Sequence, residues 1–281
     1  MNQTEKIQRK VSFITQGQAA MDGDDVKLTR IIGTSQLNML DPFLLLDCFE
    51  SDQPEDYIGG FPSHPHRGFE TVTYLLAGRM RHQDSVGNNG VIEAGGVQWM
   101  TAGKGIIHSE MPEQENGLLK GFQLWVNLPA SDKMTTPHYQ EFSPDKMAVE
   151  QHENGNQVRV IAGITNQGTV GPVKNDYVDP TYLDVQLSAA NEFKQSIHPE
   201  HNSFIYVIEG QVHIQEEVLT DNTLAVLSLG EEVTINAQSN SRFLLLAAKP
   251  LNEAIARSGP FVMNTRAQLM QAYEDFQMNN F

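Results

Sequence analysis

Two short segments of this chain carry residue types that bind transition metals: His64-Pro65-His66 and His108-Ser109-Glu110. Imidazole is the commonest protein metal ligand, and a carboxylate beside it suits Fe(II), Mn(II) or Zn(II). In each segment the two candidate ligands stand two residues apart. On a β-strand that spacing puts both on one face. If the two strands lie side by side, about 4.8 Å apart, all four groups can converge on one ion. Three His and one Glu leave coordination positions open, as oxygen activation or substrate chelation requires. A structural zinc site is instead closed, tetrahedral and usually rich in cysteine. This chain has one cysteine, Cys48, which favours a catalytic or substrate-binding metal over a structural one and makes an intrachain disulfide impossible.

The choice of carboxylate depends on the strands that present it. Counting by twos from His64 and His66 puts Glu70 on the same face. Pro65 and Gly68, however, interrupt a regular strand between them. Glu110 is therefore the expected ligand, with Glu70 expected behind it.

The rest of the chain supplies strands to hold these groups. Strand-like runs alternate with turn residues over 26–32, 70–76, 97–100, 106–108 and 122–128, with strong turns at 86–90 and 103–105. The pattern weakens across 131–156, where Pro, Asp, Glu, Asn and Gly accumulate, and this reads as a connection. A second set of strands follows at 158–162, 182–187, 203–209, 211–215, 224–227, 233–236 and 242–247. Short strands at regular spacing with turns between them suggest a sandwich or a barrel. The two blocks look related: 69–78 and 204–210 each run from Phe through alternating apolar residues to Gly, with histidines beside a proline just upstream. That suggests a duplicated barrel. Residues 265–278 show helical spacing, with Leu269, Tyr273 and Phe276 on one face and Thr265 as the cap.

Composition narrows the function classes. The 281 residues suffice for two lobes with their own cores, and 40% hydrophobic content is that of an ordinary globular protein. A net charge of −16 argues against direct binding to nucleic acid or anionic lipid, both of which need a positive surface. The first residues are polar with no apolar stretch after them, and no run is long enough to span a membrane. A cytoplasmic location is expected, with Cys48 a buried, inert thiol. The signatures of Ser hydrolases, P-loop phosphate binding and dinucleotide binding are absent from the sequence.

Several long blocks together resemble a known family. GFPSHPHRGFETVTYLLAG and VQWMTAGKGIIHSEMP are similar to the two signature blocks of the pirin family, a branch of the cupin superfamily. DPFLLLDCF near the start and GPFVMNT near the end extend the resemblance over nearly the whole chain. It implies an all-β fold of two cupin, jelly-roll-like β-barrels face to face, with a short C-terminal helix. The expected domains are 1–135, a metal-binding N-terminal barrel, and 136–281, a second barrel without metal plus the helix. It implies His64, His66, His108 and Glu110 as ligands, Glu110 standing where Glu70 would in other cupins. The second block lacks the metal pattern, since His198 and His201 are three apart and no His follows residue 224. These two, with His82, His138, His152 and His213, are expected to be solvent or core histidines.

The resemblance further implies one divalent metal, Fe(II) first, with Mn, Ni, Co, Cu or Zn compatible with the same donors. The function expected first is a mononuclear non-haem dioxygenase that opens the heterocyclic ring of a flavonol such as quercetin with O2. Glu110 would take the proton of the coordinated hydroxyl. Phe49, Phe61, Trp99, Met100 and Met111 are candidate apolar walls. An iron- or redox-sensing regulator of a partner protein is the alternative. Phosphate chemistry ranks lower, since only Arg67, Lys104, Arg79 and Arg81 could form a basic rim.

Overall fold

The computed structural model describes residues 6–281; residues 1–5, the start of the polar stretch read as lacking a leader, lie outside the described residues. The chain divides into two compact units. One comprises Gln18–Asp145 and Leu251–Phe281; the other comprises Lys146–Pro250 and the segment ending at Gly17. Each end of the chain thus joins the unit built mainly from the opposite half. Val11–Gln16 does so by pairing antiparallel with Thr223–Leu227. The guanidinium of Arg9, 1% exposed, reinforces this by donating to the carbonyls of Gly230, His201 and His198.

In the unit that holds the candidate ligands, two antiparallel sheets enclose the core. The larger runs His138–Phe142, Val97–Thr101, Phe69–Ala77, Leu119–Asn127, Phe43–Ser51, Val26–Ile32, Gln18–Asp22 in spatial order. The smaller runs Phe61–His66, Ile106–Pro112, Arg79–Asp84, Asn89–Glu93. Leu28, Phe49, Leu75 and Leu119 of the first meet Met80 and Ile92 of the second in one buried cluster. The second unit repeats the plan, again with seven and four strands. A buried cluster there includes Val185, Ile205 and Phe243 from one sheet and Val212, Ile214 and Ile235 from the other.

The expectation of two β-barrels is overturned. Among the described residues every sheet runs from one end strand to another without closing on itself. Each unit is a cupin-like pair of open sheets. The physical reason lies at the corners. The chain passes between sheets at Gly68 (φ +86°) and Gly78 (φ +83°), left-handed conformations that break the hydrogen-bond ladder instead of carrying it around. Alternating hydrophobicity reports a buried face, which a sandwich and a barrel share.

Most expected strands form, Val26–Ile32 with the predicted bounds. Two strands arise where the sequence reads as a connection, His138–Phe142 and Ala148–Gln151. Both are end strands of their sheets and half exposed, so neither needs an alternating apolar pattern. The terminal helix, Arg266–Gln277, starts at the predicted cap: Thr265 and Gln268 form a reciprocal capping box. Tyr273 and Phe276 pack their rings against Phe261. Cys48 is buried, and its thiol is pushed up to about 12 by desolvation, as expected for an inert group.

Candidate metal centre

The small sheet delivers the histidines. Phe61–His66 and Ile106–Pro112 pair antiparallel with His108 directly opposite His64 and Ile106 opposite His66. Strand alternation then puts His64, His66 and His108 on one face. Their ligating nitrogens all lie within 4.8 Å of one another. The Nε2 atoms of His64 and His66 are 3.0 Å apart. His64 Nδ1 sits 2.8 Å from the Pro62 carbonyl. A carbonyl only accepts, so Nδ1 carries the proton and Nε2 presents a lone pair inward.

Electrostatics favours the neutral, ligating form. His66 and His108 are 3% and 2% exposed. Burial first, and then the neighbouring imidazoles, hold both well below the ordinary histidine range. Both ring nitrogens of His108, and Nδ1 of His66, are buried without a hydrogen-bond partner. Three convergent imidazoles, two of them buried and held neutral with orphaned nitrogens, fit one transition-metal ion. Such a three-histidine cluster suggests a mononuclear transition-metal site.

The expected carboxylates stand apart from that trio. The register slips between His108 and Glu110 where Ile106–Pro112 pairs with Phe61–His66. Glu110 is buried, but it does not belong to the group of mutually close donor atoms. Its Oε1 accepts from Thr73 Oγ1 at 2.7 Å, and Gln123 Nε2 lies 3.4 Å from its Oε2. Glu110 does line the same cavity as His64 and His66. Glu70 lies in the large sheet, because the chain turns out of the small sheet at Gly68. Its Oε1 accepts from Thr101 at 2.7 Å.

A cavity of about 800 Å³ opens in front of the histidines, walled by Phe49, Phe61 and Trp125 among others. Of the apolar residues expected there, Phe49 and Phe61 line it. Trp99 and Met100 are core instead, 1% and 0% exposed, and Met111 is half-buried away from the lining. Trp125 and Arg257 are wall residues the sequence reading missed. Trp125 gave no signal beyond strand alternation, and Arg257 lies more than 100 residues from the nearest ligand in sequence. The basic rim that the lower-ranked phosphate chemistry would need is not assembled: none of its four candidates lines the cavity. Arg67 is buried, bonded to the Lys104 carbonyl and to Asp275, while Arg79 and Arg81 both pair with Glu113.

His82 proves to be more than an isolated core histidine. It lies opposite Glu110 in the strand register, is 3% exposed, and its Nε2 is 2.5 Å from Glu141 Oε2. That contact holds the Glu141 carboxyl below its ordinary range. Glu141 belongs to the end strand that lacks an alternating pattern, so the sequence carried no sign of it.

Comparison with known proteins settles the ancestry of this arrangement. Residues 25–126 match the family described as Pirin, and residues 182–281 match the Pirin C-terminal cupin domain. The chain belongs to the pirin family. A pirin-like protein of Caulobacter vibrioides is 51% identical over 97% of this chain and 99% of its own length. A pirin-like protein of Solanum lycopersicum is 43% identical, over 92% of this chain and 88% of its own. Among solved structures, a quercetin 2,3-dioxygenase from Acinetobacter baumannii superposes with a TM-score of 0.90 at 35% identity, covering 98% of both chains. The trio of histidines in this pirin-family chain therefore sits in a fold shared with a quercetin 2,3-dioxygenase. No helix among the described residues is long and apolar enough to cross a membrane.

Proposed function

We propose that this protein is a metal-dependent dioxygenase of the cupin type, opening the heterocyclic ring of a flavonol such as quercetin with O2 and releasing carbon monoxide. The observation that carries the reading is the convergent trio His64, His66 and His108, of which His64 and His66 line an aromatic-walled cavity. Likeness to the Acinetobacter baumannii enzyme supports the substrate class. Fe(II) is the proposed metal, which the three imidazoles would hold; Glu110, lining the same cavity, would complete the set as a fourth ligand through a loose bond that leaves it basic. When bound, such an ion supplies Lewis acidity that lowers the pKa of a coordinated hydroxyl.

The chain's own residues do the rest. Phe49, Phe61 and Trp125 hold the flat ligand and exclude water from it. Glu110, steadied by Thr73 and Gln123, takes the proton of the flavonol 3-hydroxyl on a carboxylate oxygen. Thr73 and Gln123 stand on the large sheet and Glu110 on the small one, so the base is fixed from both sides of the core. The test is aerobic turnover by iron-loaded protein, read as loss of flavonol absorbance and release of carbon monoxide. Metal-dependent turnover that disappears in His64→Ala is expected. No turnover, or equal rates in the variant, rules the reaction out.

A further inference from the structure

Lys133 is 1% exposed and forms no ion pair among the described residues. Burial pushes its pKa down to about 8, outweighing the pull of Glu253, an exposed carboxylate that accepts instead from the Ala130 N–H and from Asn264 Nδ2. The Lys133 Nζ donates to three oxygens: the Gly68 carbonyl at 2.7 Å, Asn127 Oδ1 at 2.7 Å and the Val262 carbonyl at 3.0 Å. An ammonium has three N–H donors, so all of them are used.

The three acceptors belong to three separate pieces of the unit that holds the histidines. Gly68 is the corner where the chain leaves the small sheet, just after His66 and Arg67. Asn127 ends the strand Leu119–Asn127, which carries Gln123 and Trp125 into the cavity wall. Val262 lies in the short strand Phe261–Met263, directly after Gly259 and Pro260, which also line the cavity. That C-terminal segment runs along the corner. The Arg67 N–H donates to the Pro260 carbonyl at 3.2 Å, and the Val262 N–H donates to the Arg67 carbonyl at 3.0 Å. The approach is so close that a Cβ on Gly68 would overlap the Val262 carbonyl oxygen.

A buried ammonium without a buried carboxylate is a costly way to fill space; an apolar side chain of the same length fills it at less cost. What the ammonium adds is direction, because three charge-assisted hydrogen bonds fix three chain segments relative to one another. We infer that Lys133 is a positioning residue of the metal centre: it fastens the C-terminal segment, with its cavity wall at Pro260, to the corner behind His66, and so fixes where His66 presents its ligating nitrogen. The inference rests on reading the histidine trio as a metal centre and is independent of the flavonol reaction.

Cobalt(II) binding tests this without turnover. The visible d–d absorption of bound Co(II) follows its ligand geometry, and titration under nitrogen reads the affinity. Lys133→Met should weaken Co(II) binding about 10- to 100-fold, the usual loss when a group supporting a ligand is removed, and should shift the d–d bands. A merely structural role would lower the urea midpoint and leave the bands in place. If Lys133→Met does not fold, Asn127→Ala takes its place; it removes one of the three acceptors and should give a smaller change of the same kind. Wild-type bands and affinity in folded Lys133→Met overturn the inference, and so do wild-type bands and affinity in Asn127→Ala where Lys133→Met fails to fold. Wild-type protein that binds no Co(II) removes the metal centre and the inference with it. The expected changes in protein that turns over no flavonol uphold the role of Lys133 and remove only the reaction.

Discussion

Consider acidification of the metal-free protein from pH 7.5 to 5.0. His66 and His108 bind a proton far less readily in the folded protein than in the open chain, because burial strips imidazolium of water and the neighbouring rings repel it. The unfolded chain protonates both near pH 6.5. Below that value the unfolded state binds more protons than the folded one, so stability rises with pH and is lost as pH falls toward the lowered folded values. Well inside that window each histidine contributes about 1.3 kcal/mol per pH unit, about 2.6 kcal/mol per unit for the pair. The assay is urea denaturation followed by circular dichroism at half-unit steps of pH. It is run on the wild type, on His108→Gln, and on the double variant with His66→Gln. The slope should be steepest in the wild type, about half as steep above background in the single variant, and at background in the double. His201, also lowered by burial, contributes to that background in all three proteins. A bound metal keeps the folded imidazoles neutral, so it should raise stability across the range and extend the slope to lower pH. A wild-type slope equal to that of the double variant would refute the claim that these rings are held neutral by burial.

Three further outcomes follow from the geometry. Glu110→Gln should lower flavonol turnover by about 10²- to 10⁴-fold, the usual contribution of a positioned base; an unchanged rate assigns the proton elsewhere. Arg67→Ala should cost about 3 kcal/mol in urea titrations, because it leaves Asp275 and the Lys104 carbonyl without their buried cation; a loss under 1 kcal/mol contradicts that role. Thr265→Ala removes the side-chain half of the capping box and should lower stability by about 1 kcal/mol, while Thr265→Ser should retain most of it.

What was legible in the sequence is what local chemistry encodes. The i, i+2 spacing of His64 and His66 needed only a strand to put both on one face, and the capped terminal helix needed only Thr265 and its neighbours. Alternation between polar and apolar residues marked the strands with a buried face, and several long blocks marked the family. Other features depended on groups distant in sequence. Whether the sheets close was decided at Gly68 and Gly78, where the chain changes sheet, because alternation is the same in a sandwich and a barrel. Glu110 falls outside the group of mutually close imidazole nitrogens, and no residue type announces the register slip between it and His108. Glu141 reaches His82 from a half-exposed end strand, and Arg257 reaches the cavity from beyond the whole second block of strands. The ligand types were written in the chain; the company they keep came from packing, since side-chain neighbours across sheets follow from where the backbone turns and not from any local pattern.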